Sequence, residues 1–233
     1  MCGRYVINAD PQQMQQAFAL TTVPEFAPRF NIAPTQLLPV ITNDHPNQAA
    51  LLRWGLLPSW AKDESMGSKL INARAETVDE KPSFRNAYKR RRAIIPATGY
   101  YEWQVKDDGK HPMYIHMKDN ALIGLAGLWE IWKNPEGEYV RTYAIITTTA
   151  NTFTSSIHDR MPVILNRHDY DRWLNTPEDQ AAGLRDLLVP YAHNDQMTAH
   201  EVSKAVNRAT IDIPNLILPV EPPASSDAQP RLL

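Results

Sequence analysis

Apolar and polar positions alternate over long stretches of this chain, and helical spacing is confined to short ones. Asp10-Pro11 reads as a helix cap followed by a first-turn proline, and Met14, Ala17 and Phe18 then share one face of a helix running from Gln12 to Leu20. Pro24, Pro28, Pro34 and Pro39 exclude helix from the next segment. Apolar runs at Leu37 to Thr42 and Ala49 to Leu57, separated by Asn43-Asp44-His45-Pro46-Asn47, predict two strands of a hairpin with a longer loop. A helix opened by Pro82-Ser83 is expected over 81–92. Strands are then expected at Ala93 to Val105, His111 to Lys118, Ala121 to Lys133 and Tyr139 to Thr149, with turn chemistry at Asp107-Asp108-Gly109 and Asn134-Pro135-Glu136-Gly137. Such a meander favours an antiparallel sheet curling toward a barrel. Helical patterns return at His168 to Asn175 and Glu178 to Leu188. The resulting expectation is an α+β fold: a single domain over residues 1–220, with a mainly antiparallel, barrel-like β-sheet and flanking helices. A Pro-, Ser- and Ala-rich tail at 221–233 is expected to be disordered.

Composition narrows the chemistry. The 233 residues are 43% apolar, enough for a substantial core. Only one cysteine is present, so no internal disulfide framework exists. The seven histidines include no close pair of metal-ligand type, and neither a metal nor an organic cofactor is expected. No apolar run reaches signal-peptide or membrane-helix length, which leads us to expect a cytoplasmic protein, nucleoid-associated if bacterial, with the nucleus not distinguished. A net charge of −2 argues against a generic polyanion binder, yet Arg85 to Arg92 holds five bases and no acid. That run is either a solvated face or a local anion-attracting patch.

The single cysteine is Cys2, behind the initiator methionine. Removal of Met1 would leave an α-amine with an ordinary pKa near 8 and a thiol near ~8.5 on the same residue. This 1,2-aminothiol suits acyl transfer, with the amine as base, or condensation of the amine with an aldehyde and closure of a thiazolidine by the thiol. Burial as a small hydrophobe is the bland alternative. Other polar residues interrupt apolar segments. Asn72 and Arg74 follow Leu70-Ile71 and either serve a ligand or satisfy local structure, Arg74 by pairing with Glu76 or Glu102. Glu102 lies among aromatics, where desolvation makes a general acid or base, unless it belongs to a structural Glu-Arg pair. His158-Asp159-Arg160 offers a proton shuttle or a surface turn. Trp54 and Trp60 are core aromatics or base-stacking platforms beside cations. His200 opens a short strand segment in which capping competes with catalysis.

Seven segments in order, Cys2-Gly3-Arg4, Asn31 to Thr35, Trp54 to Trp60, Asn72 to Thr77, Gly99 to Trp103, His158 to Pro162 and His200 to Ser203, together closely resemble the SRAP family, the abasic-site processing proteins once described as SOS-response-associated peptidases. The resemblance runs from residue 2 to about residue 220. It implies a monomeric DNA-repair enzyme that binds single-stranded DNA and forms a covalent crosslink between Cys2 and an abasic site, together with removal of its own Met1 and crosslink reversal. Under it Cys2 is the nucleophile, Asn72 positions the open sugar or the aminothiol, Glu102 transfers protons and His158 aids ring opening. Arg4, Arg74 and Arg160 would hold phosphates, with Trp54 and Trp60 near flanking bases. The competing reading is an N-terminal-nucleophile amidohydrolase or peptidase. The chain contains no Asn-Gly pair of the kind that would furnish its oxyanion hole.

Overall fold

A computed structural model describes residues 2–220; the expected disorder of the tail at 221–233 lies outside them. In chain order the elements are β1 (Tyr5–Ile7), α1 (Pro11–Phe18), β2 (Arg29–Ile32), β3 (Leu37–Thr42), β4 (Ala49–Trp54), β5 (Asn72–Arg74) and α2 (Arg85–Arg90). There follow β6 (Arg92–Ala97), β7 (Gly99–Lys106), β8 (Gly109–Met117), β9 (Ile123–Lys133), β10 (Tyr139–Thr149), β11 (Arg160–Pro162), β12 (Ile164–Leu165), α3 (Tyr170–Asn175) and β13 (Met197–Glu201). The α1 cap is reciprocal: Asp10 accepts from the Gln13 N–H at 2.8 Å, and the Gln13 side chain accepts from the Asp10 N–H at 2.9 Å.

Five strands close on themselves. The antiparallel order β4-β3-β6-β9-β10 is completed by a parallel β10–β4 pairing at Thr142↔Arg53 and Tyr143↔Trp54, which leaves this ring without an open edge. The second sheet is antiparallel, in the order β13-β8-β7-β1-β2. The main apolar core holds residues of both sheets, Tyr5 and Tyr100 on one side and Tyr143, Ile145 and Trp54 on the other. The fold is a single α+β domain, as the alternation of apolar positions predicts.

Two expectations change. The segment Ala93 to Val105 is not one strand: β6 belongs to the barrel and β7 to the second sheet, with Thr98 at the crossing. There the Thr98 N–H donates to the Val6 carbonyl at 2.8 Å, and its hydroxyl accepts from the Asn8 N–H at 3.0 Å. Gly99 allows the crossing, because a Cβ there would lie 2.6 Å from the Tyr114 ring and 2.7 Å from the Ile115 carbonyl. The strands therefore do not form one simple meander; the β7–β8 hairpin is an excursion into another sheet. Helix is also scarcer than expected. Only Arg85–Arg90 of 81–92 is α-helical, and Glu178–Leu187 is a 3₁₀ helix.

Strand β10 is the spine of the site. Its first half lies in the barrel, and beyond Tyr143 it takes new neighbours: β5 in parallel (Ile145↔Asn72, Thr147↔Arg74) and β11 in antiparallel (Thr149↔Arg160). Strand β1 is held between β2 and β7, with Tyr5 opposite Tyr100, and so the residue three positions earlier, Cys2, is delivered to a fixed place.

Candidate active site

Four segments far apart in sequence converge at the N-terminus. Cys2 is fully buried, and Asn72, the first residue of β5, donates its side-chain amide to the Cys2 carbonyl at 2.9 Å. Glu102 on β7 is 2% exposed and close enough to Cys2 that its charge acts on the thiol. His158, just before β11, places Nε2 3.7 Å from Glu102 Oε2. The sequence-predicted catalytic residues thus form one cluster.

The environment tunes each group. Burial is the main cause that pushes the Cys2 thiol well above its ordinary range, and the Glu102 carboxylate adds to it. Burial likewise pushes Glu102 up to about 7, with Asp159 contributing in the same direction. Burial lowers the His158 pKa. The His158 Nδ1 lies 3.0 Å from the Arg160 N–H and 2.9 Å from the Asp159 carboxylate, while Nε2 faces Glu102. Near neutral pH this pair is not a fixed ion pair: a neutral imidazole faces a carboxyl group poised between its two forms. Such a pair can give or take a proton with little cost.

The anion-binding candidates separate. Arg74 is exposed, and it projects from the same side of β5 as Asn72, two residues away. It lines a depression of about 320 Å³ together with Asn72, Lys69, Lys81 and Ser83. Lys69, Arg74 and Lys81 give this lining three cations, and it contains no carboxylate. Arg4 is half-buried and donates from Nη1 to the Asn31 Oδ1 and the Val206 carbonyl, both at 2.8 Å. Asn31 in turn donates to the carbonyls of Val206, Arg208 and Ile211, which ties β2 to the 206–211 segment.

Several expectations are corrected here. Arg160 is 7% exposed, and its guanidinium is engaged by both Glu76 oxygens, at 2.5 and 3.1 Å, and by the Thr147 carbonyl at 2.6 Å. It orders the loop that carries His158 and presents no free fork to a phosphate. Glu76 is therefore the partner of Arg160 rather than of Arg74, and Glu102 faces His158 rather than an arginine. Trp54 is fully buried, edge-on to Tyr5 with ring centroids 5.1 Å apart and stacked on Tyr143, and its Nε1 donates to the Ile71 carbonyl at 3.0 Å. No face of Trp54 is available to a base. Trp60, by contrast, is 55% exposed. The basic run is mostly structural: Arg92 is buried, Arg91 pairs with Glu130, and Arg90 with Glu178. His200, on the second sheet, donates from Nε2 to the Ile217 carbonyl at 2.8 Å, as its structural alternative requires.

Sequence reasoning missed Lys69, Lys81 and the buried phenols of Tyr5, Tyr100 and Tyr143. For Tyr100 a signal existed, because it stands two residues before Glu102 on a strand and so shares its face. Nothing in the sequence pointed to Tyr143, which reaches the site only through barrel closure. A larger depression of about 790 Å³, between α1 and the segment around Tyr170, holds none of these side chains. Among the described residues no three His, Cys, Asp or Glu side chains come together as a metal site.

Comparison with known proteins places this arrangement. The family model described as SOS response associated peptidase (SRAP) matches residues 1–209. The abasic site processing protein YoqW of Bacillus subtilis (strain 168) is 44% identical over 222 residues, covering 93% of this chain and 99% of that protein. The abasic site processing protein HMCES of Gallus gallus is 30% identical over 266 residues, covering 95% of this chain and 78% of that protein. A crystal structure of a protein from Bacteroides thetaiotaomicron superposes with a TM-score of 0.81 at 28% identity, over 94% of this chain and all of the other. The match spans both sheets and every segment that meets at Cys2, and the chain belongs to the SOS response associated peptidase (SRAP) family.

Proposed function

We propose that this protein processes abasic sites in single-stranded DNA, and that, once Met1 has been removed, Cys2 forms a thiazolidine crosslink with the ring-opened sugar. The observation that carries this reading is the meeting of Cys2, Asn72, Glu102 and His158 in one cluster. The cation-lined depression beside Asn72 supplies a path for the phosphates. Relatives named abasic site processing proteins support the substrate class.

The chemistry follows from the geometry. The α-amine of Cys2 adds to the C1′ aldehyde and gives a carbinolamine. Loss of its hydroxyl as water requires a proton, and Glu102, poised near neutrality, supplies it in its acid form. The imine that results is attacked at C1′ by the Cys2 sulfur, and the imine nitrogen takes up a proton as the five-membered ring closes. One water is released overall. Because both nucleophiles belong to one residue, ring closure benefits from effective molarities of order 10⁵ M or more. Asn72 holds the Cys2 carbonyl and so fixes which way the amine and thiol point. His158, whose Nε2 faces Glu102, assists opening of the closed sugar and exchanges protons with Glu102. Reversal uses the same groups in the opposite order. Removal of Met1 by the protein itself is part of this proposal: the sulfur adds to the Met1 carbonyl, the Met1–Cys2 amide breaks with the Cys2 nitrogen taking up a proton, and water hydrolyses the resulting thioester to free the methionine and the thiol.

The test is a denaturing gel of the processed protein with a single-stranded oligonucleotide carrying one abasic site. We expect a heat-stable shifted species that is absent from Cys2→Ala and from a chain that retains a residue ahead of Cys2. Cys2→Ala should keep its affinity for the same oligonucleotide. Fully processed wild-type protein that yields no shifted species would sink the crosslinking reaction; amide hydrolysis by that protein would favour acyl transfer instead.

A further inference from the structure

Three buried phenols approach Cys2, and only two of them satisfy each other. The hydroxyls of Tyr5 on β1 and Tyr143 on β10 meet at 2.6 Å. Tyr100 stands opposite Tyr5 in the β1–β7 ladder, is 1% exposed, and its hydroxyl has no hydrogen-bond partner among the described residues. The neighbouring residue shows that this is not a general property of the strand. Tyr101 points to the other face of β7, into a separate apolar cluster, and its hydroxyl donates to the Phe30 carbonyl at 2.7 Å. Burying a polar group without a partner is unfavourable, so the Tyr100 oxygen destabilises the fold where it stands. Its position is informative. Tyr100 packs in the same core cluster as Cys2 and shares a face of β7 with Glu102, and its hydroxyl lies within electrostatic reach of both.

We propose that Tyr100 is a positioning residue for the Cys2 nucleophile, its hydroxyl donating a hydrogen bond to Sγ when the thiol proton has left. This rests on the reading of Cys2 as the nucleophile. A neutral thiol is a weak acceptor and a thiolate is a strong one, which accounts for a hydroxyl that has no partner while the sulfur is protonated. The proton balance is simple: the S–H bond breaks, its proton passes to the Glu102 carboxylate, and the phenol keeps its own proton while shifting its hydrogen bond onto the sulfur. The groups that face Cys2 pull in opposite directions. Burial and the Glu102 charge disfavour the thiolate, while the positive charge of the N-terminal amine and then the Arg4 N–H favour it. Tyr5 and Tyr143 from β1 and β10 are tied to each other by one hydrogen bond, in which one hydroxyl donates and the other accepts and keeps its proton, and Asn72 from β5 is engaged at the carbonyl of Cys2 rather than at its sulfur. His158 lies beyond Glu102. Of the three phenols, Tyr100 is the one whose hydroxyl is engaged neither as donor nor as acceptor among the described residues, and so can turn to the sulfur without breaking a bond.

The test replaces the hydroxyl alone. In the processed chain, confirmed by mass, the rate of alkylation by iodoacetamide is followed from about pH 6 upward, and because burial holds the thiol above its ordinary range the midpoint is compared as the displacement of the log-rate profile along the pH axis; the reactive thiol is unambiguous because the chain has one cysteine. For Tyr100→Phe the midpoint should rise by about one unit and the rate at neutral pH should fall about tenfold, while the melting temperature stays level or rises. Tyr101→Phe is the control: its melting temperature should fall with no change in midpoint. The proposal is overturned if the Tyr100→Phe midpoint moves by less than about 0.2 unit, if both variants shift it equally, if Tyr100→Phe melts well below wild type, or if the wild-type thiol is unreactive throughout. The assay contains no DNA. A shifted thiol profile with no capture of abasic DNA by wild type would therefore sink the proposed reaction and leave Tyr100 standing, and capture with an unshifted profile would do the reverse.

Discussion

Arg92 and the Cys2 cluster are both buried polar sites, and they are built on opposite principles. Arg92 is 1% exposed, and its guanidinium donates to the carbonyls of Trp173, Tyr88, Lys89, Leu174 and Thr176, which ties α2 and α3 to β6 of the barrel wall. Around Cys2, by contrast, the Asn72 Oδ1, the Tyr100 hydroxyl and the Arg160 Nε are buried without a hydrogen-bond partner among the described residues, and Glu102 is held near its point of half-ionisation. A satisfied buried network adds rigidity, whereas an incompletely satisfied one retains capacity for a group still to come. The five-base run that includes Arg92 looks more like a ligand site in sequence than Tyr100 does. Burial and partner count reverse that ranking.

The largest effect that would sharpen this contrast is expected at Arg92. Arg92→Met strands several carbonyls in the interior and should lower stability in urea titration by about 4 kcal/mol, with the iodoacetamide profile of Cys2 unchanged. A loss below about 1 kcal/mol would break the comparison. Glu102→Gln should act in the opposite direction. Because the folded-state value is raised toward about 7, wild type enjoys this group's full contribution below the ordinary carboxyl range and loses it as pH rises through about 7. The glutamine variant escapes that loss, so at pH 8 it should be more stable than wild type by about 2 kcal/mol, and the gap should close in acid. The same substitution should slow capture of abasic DNA on the order of 100-fold or more. Equal stability of the two proteins at both pH values would show that Glu102 is not desolvated as the structure has it.

The arginines near the site provide the finer test. Arg160→Ala removes the donor to Thr147 and the partner of Glu76, and should cost about 1–2 kcal/mol in thermal or urea unfolding while leaving the salt dependence of single-strand binding unaltered. Arg74→Ala should change stability by less than about 0.5 kcal/mol and reduce the slope of log affinity against log salt by about 0.7, the signature of one lost phosphate contact on a single strand. Should Arg160 carry the salt slope and Arg74 not, the depression beside Asn72 is not the strand's path.

Much of the architecture was legible because it depends on local alternation. The strand over Tyr139 to Thr149 emerges with the predicted limits, and the Asp10-Pro11 cap opens α1 as its chemistry requires. The break at Thr98 was not legible, since from Ala93 to Tyr101 only Thr98 interrupts the apolar and glycine positions and no turn pair marks the end of a strand, whereas the crossing depends on the close approach of Gly99 to Tyr114 and Ile115. Short strands were missed for a related reason: β1, β5 and β11 each span three residues, too few for a period to show. At the site, Cys2, Asn72, Glu102 and His158 could be singled out as polar residues in apolar or terminal settings. Which arginines were free could not, because what separates Arg74 from Arg160 is burial and the reach of Glu76 and the Thr147 carbonyl, all set by the fold.

The sequence alone therefore determined residue chemistry and local period: one cysteine beside the terminus, an acid among aromatics, an alternating barrel wall, and a family resemblance carried by seven ordered segments. Tertiary structure decided which of those groups meet and which are already engaged. Side-chain chemistry is a property of each residue, and strand period of its immediate neighbours. Burial, pKa and hydrogen-bond vacancy depend on groups dozens of residues away, brought together by the closure of β10 on β4 and by the passage of β7 into the second sheet.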